Sequence, residues 1–126
     1  MIDALFNQPN YLAVKRMMDA TAMQQQAVAS NIAHLETPGY QRLTVAPDFQ
    51  ADLRQALNAK NTHRLMELHP QLQTDPDAVV QRKDGNTVNL ETELLEQNKL
   101  TMAHALETHL VTGNLLRLRL AITGRS

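Results

Sequence analysis

The sequence has 126 residues, of which 43% are hydrophobic and only 3% aromatic, so it suits one domain whose core is made of helices and not of stacked sheets. Its net charge of −1 offers no basic surface to a phosphate backbone, which argues against a nucleic-acid-binding function. Because the chain contains no cysteine, a disulfide framework, a thiolate nucleophile and a zinc–cysteine site are excluded.

The first residues do not have the pattern of a secretory signal. Residues 1–8 contain neither a basic n-region nor a continuous apolar h-region, so we expect no cleaved signal peptide. The longest uncharged run, residues 20–35 with His34 taken as neutral, is interrupted by three consecutive glutamines. It is also shorter than the roughly 20 apolar residues that a membrane span requires, so we expect no direct span of the lipid.

The first predicted element is a long helix over about residues 10–35. Asn10, which follows Pro9, is a suitable N-cap. The polar residues Thr21 and Gln25 fall on the helix face that carries the apolar residues, where polar side chains can set the register or the number of partners. We expect Val14, Met18 and Val28 to pack against partner helices. The whole face follows the three- and four-residue steps of a heptad seam: Tyr11, Val14, Met18, Thr21, Gln25, Val28, Ile32 and Leu35.

A specific turn should end this helix, within the segment ASNIAHLETPGY at residues 29–40. Pro38 cannot continue a helix and biases Thr37 toward extended geometry, whereas Gly39 permits a positive φ. The helix is therefore predicted to stop near residues 33–35.

The middle of the chain contains weaker signals. Asp48 is a suitable cap for a short amphipathic helix over residues 47–57, whose apolar face would contain Phe49, Leu53, Ala56 and Leu57. Residues 58–78 show no regular pattern. Asp84 and Gly85 stand between two short β-prone runs, which predicts a brief hairpin over residues 78–88.

A second long helix is predicted from Asn89, as N-cap, to about Thr123. Glu91, Glu93 and Glu96 are interpreted as a solvated helix start that favours the helix dipole. The apolar surface is too broad for one partner helix to cover, because it contains two stripes. One consists of Leu95, Met102, Leu106, Leu116 and Leu120, and the other of Leu94, Val111, Leu115, Leu118 and Ile122.

Together these elements predict an all-α-dominated fold in a single domain over residues 1–126. The two long terminal helices, about 10–35 and 89–123, would form an antiparallel coiled-coil-like pair. A turn and a small variable insert, irregular apart from the short hairpin, would occupy residues 36–88.

No group of residues predicts catalysis, a cofactor or a metal. His104 and His109 are five residues apart, whereas ligands on one helical face need a spacing of three or four. Ser30 lies in the helical run before the turn, where a small packing residue is expected and not a nucleophile. The four glycines do not cluster into a phosphate-binding loop. The sequence thus predicts a protein that is not an enzyme.

Two separate blocks of the sequence resemble the flagellar axial proteins, the rod and hook subunits of the bacterial flagellum. The first is the Asn-Ile-Ala segment that leads into Thr-Pro-Gly-Tyr, within residues 12–49. The resemblance implies that the functional residues of this turn are Asn31, Ile32, Thr37, Pro38, Gly39 and Tyr40. The second is DGNTVNLE at residues 84–91 together with LRLRLAI at residues 116–122. The chain departs from the family pattern at His34, where Asn is common, and at Gln41, where Lys is common.

The resemblance implies a structural subunit of the basal-body rod, located in the periplasmic space and exported without a cleaved signal through the flagellar type III apparatus. Its implied partners are other rod proteins, the rod adaptor, membrane-ring and export-gate proteins, and further copies of itself. Phe49 and Leu53 resemble the short export-gate signal of early flagellar subunits, although the same spacing is also that of a buried helix face. The alternative function is a soluble helical adaptor that recognises a partner helix in a groove.

Overall fold

The computed structural model describes residues 8–124. Its elements in chain order are α1 (Pro9–Ala33), β1 (Leu43–Val45), α2 (Asp48–Asn58), α3 (Thr62–Glu67), β2 (Leu72–Thr74) and α4 (Leu90–Thr123). The fold is dominated by helix, as predicted, and the long helices α1 and α4 pack together. Residues 1–7, on which most of the signal-peptide prediction rests, lie outside the described residues.

Helix α1 begins one residue earlier than predicted. Gln8 is the N-cap residue and Pro9 occupies the first turn, where the fixed φ of proline suits a helix and its missing N–H is not needed. Asn10, the predicted cap, is therefore already helical. The helix ends at Ala33, within the predicted limits.

The buried face of α1 differs in part from the predicted seam. Thr21 and Val28 are buried and Val14 and Met18 are half-buried, but Gln25 is exposed. Because α1 packs against the strands and the short helices as well as against α4, its buried arc is wider than a coiled-coil seam. The buried side chains are Leu12, Ala13, Thr21, Gln24, Ala27, Val28 and Asn31.

A small core lies between α1 and the insert. Phe49, Leu53 and Ala56 of α2 are buried and Leu57 is half-buried, which confirms the predicted amphipathic face. Asp48 is not the cap, because Pro47 precedes the helix and Asp48 lies in its first turn, where a carboxylate favours the dipole. The core cluster consists of Leu12, Ala13, Phe49, Leu53, Ala56, Leu65 and Leu68.

The prediction of an irregular segment over residues 58–78 was wrong. Asn61 caps α3 by accepting a hydrogen bond from the Arg64 N–H at 3.0 Å, and Leu65 in this helix is fully buried. Strand β2 then pairs antiparallel with β1, with Thr44 opposite Gln73. Both elements are too short to produce a periodic pattern, so periodicity does not predict them.

The predicted hairpin over residues 78–88 is present only as a turn, which the Gln81 N–H closes by donating to the Asn86 carbonyl at 2.8 Å. Gly85 does adopt a positive φ of 85° in a turn, but neither flanking run forms a strand. The backbone N–H of Thr87 donates to the Tyr40 carbonyl at 3.1 Å, so the second run pairs with the segment after α1. Val79 and Val80 in the first run are left exposed.

Helix α4 has the predicted limits, and the Asn89 side chain accepts a hydrogen bond from the Thr92 N–H as its N-cap. Its buried residues are seven apart, at Glu93, Leu100 and Glu107, so one face of the helix meets α1. Contacts join the end of α1 to the start of α4 and the middle of α1 to the middle of α4. Among the described residues, none of the helices has the length and apolar character that a bilayer crossing requires.

Truncation to alanine should reduce stability by very different amounts at Leu65 and Met66, two neighbouring residues of α3. We expect Leu65→Ala to lower the free energy of unfolding by about 2–5 kcal/mol, because this fully buried side chain leaves a cavity. The matched change Met66→Ala, at a side chain that is 49% exposed, should cost no more than about 0.5 kcal/mol. Urea denaturation of both variants measures the difference, and equal losses would contradict this description of the core.

Candidate functional site

The end of α1 and the turn after it contain the sequence motif of residues 29–40, and the turn is held by backbone hydrogen bonds. The N–H of Thr37 donates to the His34 carbonyl at 3.0 Å, and the N–H of Gly39 donates to the Asp84 carbonyl at 2.9 Å. Gly39 has a φ of 72°, which confirms the predicted positive value. The turn is therefore joined by its backbone to the loop that precedes α4.

Asn31 connects three elements through one fully buried amide. Its Nδ2 donates to the Leu43 carbonyl at 2.9 Å and to Glu93 Oε2 at 3.2 Å. Its Oδ1 accepts from the Leu43 N–H at 2.8 Å and from the Tyr40 hydroxyl at 3.2 Å. All of the hydrogen-bonding capacity of the amide is used, which is the condition for burying it at low cost.

Tyr40 closes the turn back onto the last residues of α1. Its hydroxyl is 2.9 Å from Ser30 Oγ, and its ring stacks on His34 with centroids 4.6 Å apart. Ser30 thus has a structural partner, as the sequence interpretation expected of a packing residue. His34 stacks through its ring, so the common Asn of the family pattern would not supply the same contact.

Asn86 is a central residue that the sequence analysis did not identify. Its Nδ2 lies 3.0, 3.1 and 2.8 Å from the carbonyl oxygens of His34, Leu35 and Thr37, in the turn that follows α1. Its Oδ1 accepts from the Val88 N–H at 2.8 Å. An Asn after Asp-Gly is read from sequence as a turn residue, which hides this role.

A buried ionic network joins the turn to the start of α4. Arg42 Nε donates to Glu93 Oε1 in a short hydrogen bond, and Arg42 Nη1 donates to Asp75 Oδ2 at 2.8 Å. Burial lowers the pKa of the Arg42 guanidinium, but the hydrogen bonds and charges of Glu93 and Asp75 outweigh burial and raise the pKa. Glu93 is 0% exposed, so the prediction that it is solvated was wrong.

The motif residues divide into two groups. Asn31 and Tyr40 carry the hydrogen-bond network, and Ile32 is half-buried. Thr37, Pro38 and Gly39 are exposed and set the path of the backbone. The structure therefore brings all six predicted residues to one end of α1, next to the start of α4.

The predicted seam residues of α4 lie on its exposed side. We name this set the outward stripe: Leu95 (56% exposed), Met102 (74%), Leu106 (59%), Leu116 (53%) and Leu120 (44%). None of the five is buried by α1, which contacts Glu93, Leu100 and Glu107 on another face. Exposed apolar patches of this extent mark surfaces for interaction with another protein or with a membrane.

The residues of the predicted export signal belong to the core. Phe49 is 5% exposed and Leu53 is 8% exposed, and both pack in the cluster between α1 and the insert. A receptor could read these side chains only in a chain that is not yet folded. The structure thus supports the buried-face interpretation of their spacing and leaves an export role untested.

Substitution of Gly39 should strain the turn through the backbone alone. We expect Gly39→Val to destabilise the fold by about 1–2 kcal/mol, because L-residues disfavour the left-handed region and a β-branched residue disfavours it most. No atom lies within 4 Å of a Cβ built at this glycine, so a steric clash does not contribute. Gly39→Asn, which tolerates positive φ better, should cost less in urea denaturation, and equal costs would contradict the backbone explanation.

The described residues at this site make hydrogen bonds, ion pairs and packing contacts. Within residues 8–124, no group of three or more histidine, aspartate or glutamate side chains is placed to hold a metal ion. In sequence, the chain matches no protein family and no curated protein. A functional proposal therefore rests on the turn, the outward stripe and the sequence motifs.

Proposed function

We propose that this chain is a structural subunit of the bacterial flagellar basal-body rod, in the proximal rod, and that it resembles the rod protein FlgB. The observation that carries the proposal is the outward stripe, five large apolar side chains exposed along one long helix. The motif turn supports the family resemblance, because the motif residues Asn31 and Tyr40 form hydrogen bonds that join the end of α1 to the segment after it.

The spacing of the outward stripe suits helix packing between subunits. Its residues are separated by intervals that three- and four-residue steps can fill, as in a coiled-coil seam. We propose that α1 and α4 form an antiparallel coiled-coil-like pair and that neighbouring subunits cover the stripe. Burial of each such side chain contributes about 1.5–3 kcal/mol, which can offset the entropic cost of association.

The proposed neighbours are other rod proteins, the rod adaptor and membrane-ring proteins, in a rod within the periplasmic space. The proposed route is export through the type III apparatus without a cleaved signal, with residues 49–53 recognised by the export gate before the chain folds. Burial of Phe49 and Leu53 in the folded subunit is compatible with that order of events. No cofactor has a role in this function.

Deletion of the chromosomal gene, followed by complementation with a tagged copy, tests the proposal directly. Deletion of the gene should abolish motility and leave basal bodies without a complete rod, and a tagged chain should restore both. The tagged chain should then co-purify with basal bodies. Normal rods in the deletion strain, or a tagged chain found only outside basal bodies, would refute the proposal.

The alternative function, a soluble helical adaptor, draws on the same exposed stripe, because an uncovered apolar helix face can also bind one partner helix. An adaptor should form a soluble complex of fixed stoichiometry. A rod subunit should instead be recovered in a large assembly. Sedimentation of a lysate that contains the tagged chain separates these outcomes.

A further inference from the structure

A cleft of about 640 Å³ lies between α1, α2 and α4. Its walls are mainly apolar and include Ala13, Met17, Leu53, Leu100 and Ala103. The volume is within the range of about 300–1,000 Å³ that is common for ligand sites. Neither the outward stripe nor the turn over residues 34–40 contributes a lining residue to the cleft.

Glu107 lines this cleft, and within residues 8–124 only one of its two carboxylate oxygens accepts a hydrogen bond. The residue is 3% exposed, and its Oε1 accepts from Thr21 Oγ1 at 2.8 Å. Its Oε2 is buried with no hydrogen-bond partner within residues 8–124. A buried, unsatisfied polar atom carries a desolvation penalty that a donor from a bound group would relieve.

The charged groups at the cleft do not supply that donor. Lys99 is eight residues before Glu107 on a continuous helix, or about 12 Å along the axis. Arg54 and Glu96 also line the cleft, but none of the ion pairs in the described part of the chain joins Arg54 or Lys99 to Glu107. Among residues 8–124, no charged group therefore completes the Glu107 carboxylate.

The last turns of α4 have the complementary chemistry. Arg119 is exposed and has no ion pair with any of the described residues. On the helix surface it is adjacent to three exposed apolar residues, Leu115, Leu116 and Ile122, at spacings of three and four. Of the two exposed arginines in this segment, Arg117 and Arg119, we select Arg119 because it has these three exposed apolar neighbours.

Arg119 cannot reach Glu107 of its own subunit. The two residues are twelve positions apart on one helix, or about 18 Å along the axis, which exceeds the reach of an arginine side chain. A contact between them must therefore join two copies of the chain. It would use different surfaces on the two copies, the kind of interface that builds open helical polymers.

We propose that the cleft binds the last turns of α4, residues 115–122, from a second copy of this chain, with Arg119 donating to Glu107 Oε2. This inference rests on the proposed rod function and specifies one contact between successive subunits. The apolar neighbours of Arg119 pack against the apolar walls of the cleft. The guanidinium of Arg119 supplies the hydrogen-bond donor that Glu107 Oε2 lacks in the single subunit.

Cysteine cross-linking tests this contact, because the natural chain contains no cysteine. The double variant Ala103→Cys with Ile122→Cys, which keeps Arg119, should form a ladder of disulfide-linked oligomers on oxidation, at concentrations up to the solubility limit. A disulfide within one subunit is excluded, because nineteen residues on a helix span about 28 Å and a disulfide needs Cα atoms about 4.4–6.8 Å apart.

A mixture of the two single variants should give dimers only, since each copy then has one half of the contact. The matched control pairs Thr101→Cys with Ile122→Cys, because Thr101 is exposed on the same helix but does not line the cleft. Ala103→Cys alone should not form dimers. Dimers of that single variant, or equal cross-linking of the control, would overturn the proposed contact.

A charge-removal cycle tests the named pair without cysteine. Glu107→Gln and Arg119→Gln should each weaken self-association by about tenfold or more, as expected for loss of a charge-assisted hydrogen bond. The double variant should lose little beyond either single variant, and fully additive losses would overturn the pairing. If cross-linking and the cycle both fail while the tagged chain still joins the rod, this inference is wrong and the proposed function stands.

Discussion

Replacement of Arg42 by Met is expected to lower the free energy of unfolding by about 3–5 kcal/mol. The substitution removes the cation but leaves the Glu93 carboxylate, 0% exposed, in a site where only the Asn31 amide remains as a polar partner. Breaking a buried pair by removing one member is strongly destabilising, because the other charge stays desolvated. A loss of this size is a large part of the 5–15 kcal/mol that typically stabilises a domain.

Arg64→Met is the matched control, because Arg64 is 49% exposed and lies 3.8 Å from a half-exposed Asp52. An exposed pair contributes about 0–1 kcal/mol, so this variant should unfold close to the wild type in urea. The raised pKa of Arg42 means that its contribution is present below its unfolded pKa and is lost only as pH rises through the folded value. The difference between the two variants should thus be unchanged near neutral pH, and similar unfolding midpoints would contradict the network.

Val28→Asp and Leu106→Asp are expected to fail at different stages. Val28 is 3% exposed in the contact between the long helices, so a carboxylate there should cost several kcal/mol and unfold the subunit. Leu106 is 59% exposed on the outward stripe, so the same change should alter the stability of the single subunit by no more than about 0.5 kcal/mol. It should nevertheless block assembly, where the carboxylate would be buried by a neighbouring subunit.

The measurement compares secreted protein with protein incorporated in basal bodies for each variant. Both variants should be exported, because the contacts of Val28 and Leu106 form only after the chain has left the export apparatus and folded. Leu106→Asp should accumulate as a folded, unincorporated protein with wild-type helicity. Thr108→Asp, an exposed and polar site two residues away, should incorporate normally. Normal incorporation of Leu106→Asp would refute the role of the outward stripe.

The contact between α1 and α4 shows that sequence periodicity can indicate the wrong helix face as the one that packs. The outward stripe has the apolar pattern expected of the face that meets α1, yet α1 contacts the face with Glu93 and Glu107. Each carboxylate has a partner on another element: Arg42 and Asn31 for Glu93, and Thr21 for Glu107. A periodicity analysis counts such residues as polar and assigns them to solvent.

Local signals determined where the elements of this protein begin and end. The Asn89 cap, the Pro38–Gly39 turn and the apolar face of α2 depend on residues close together in the chain, so the sequence alone located them. The tertiary structure decided which faces meet, which strands pair and which charges are buried. Glu93 can be buried only because folding brings it a cation from 51 residues away, and no local pattern encodes that partner.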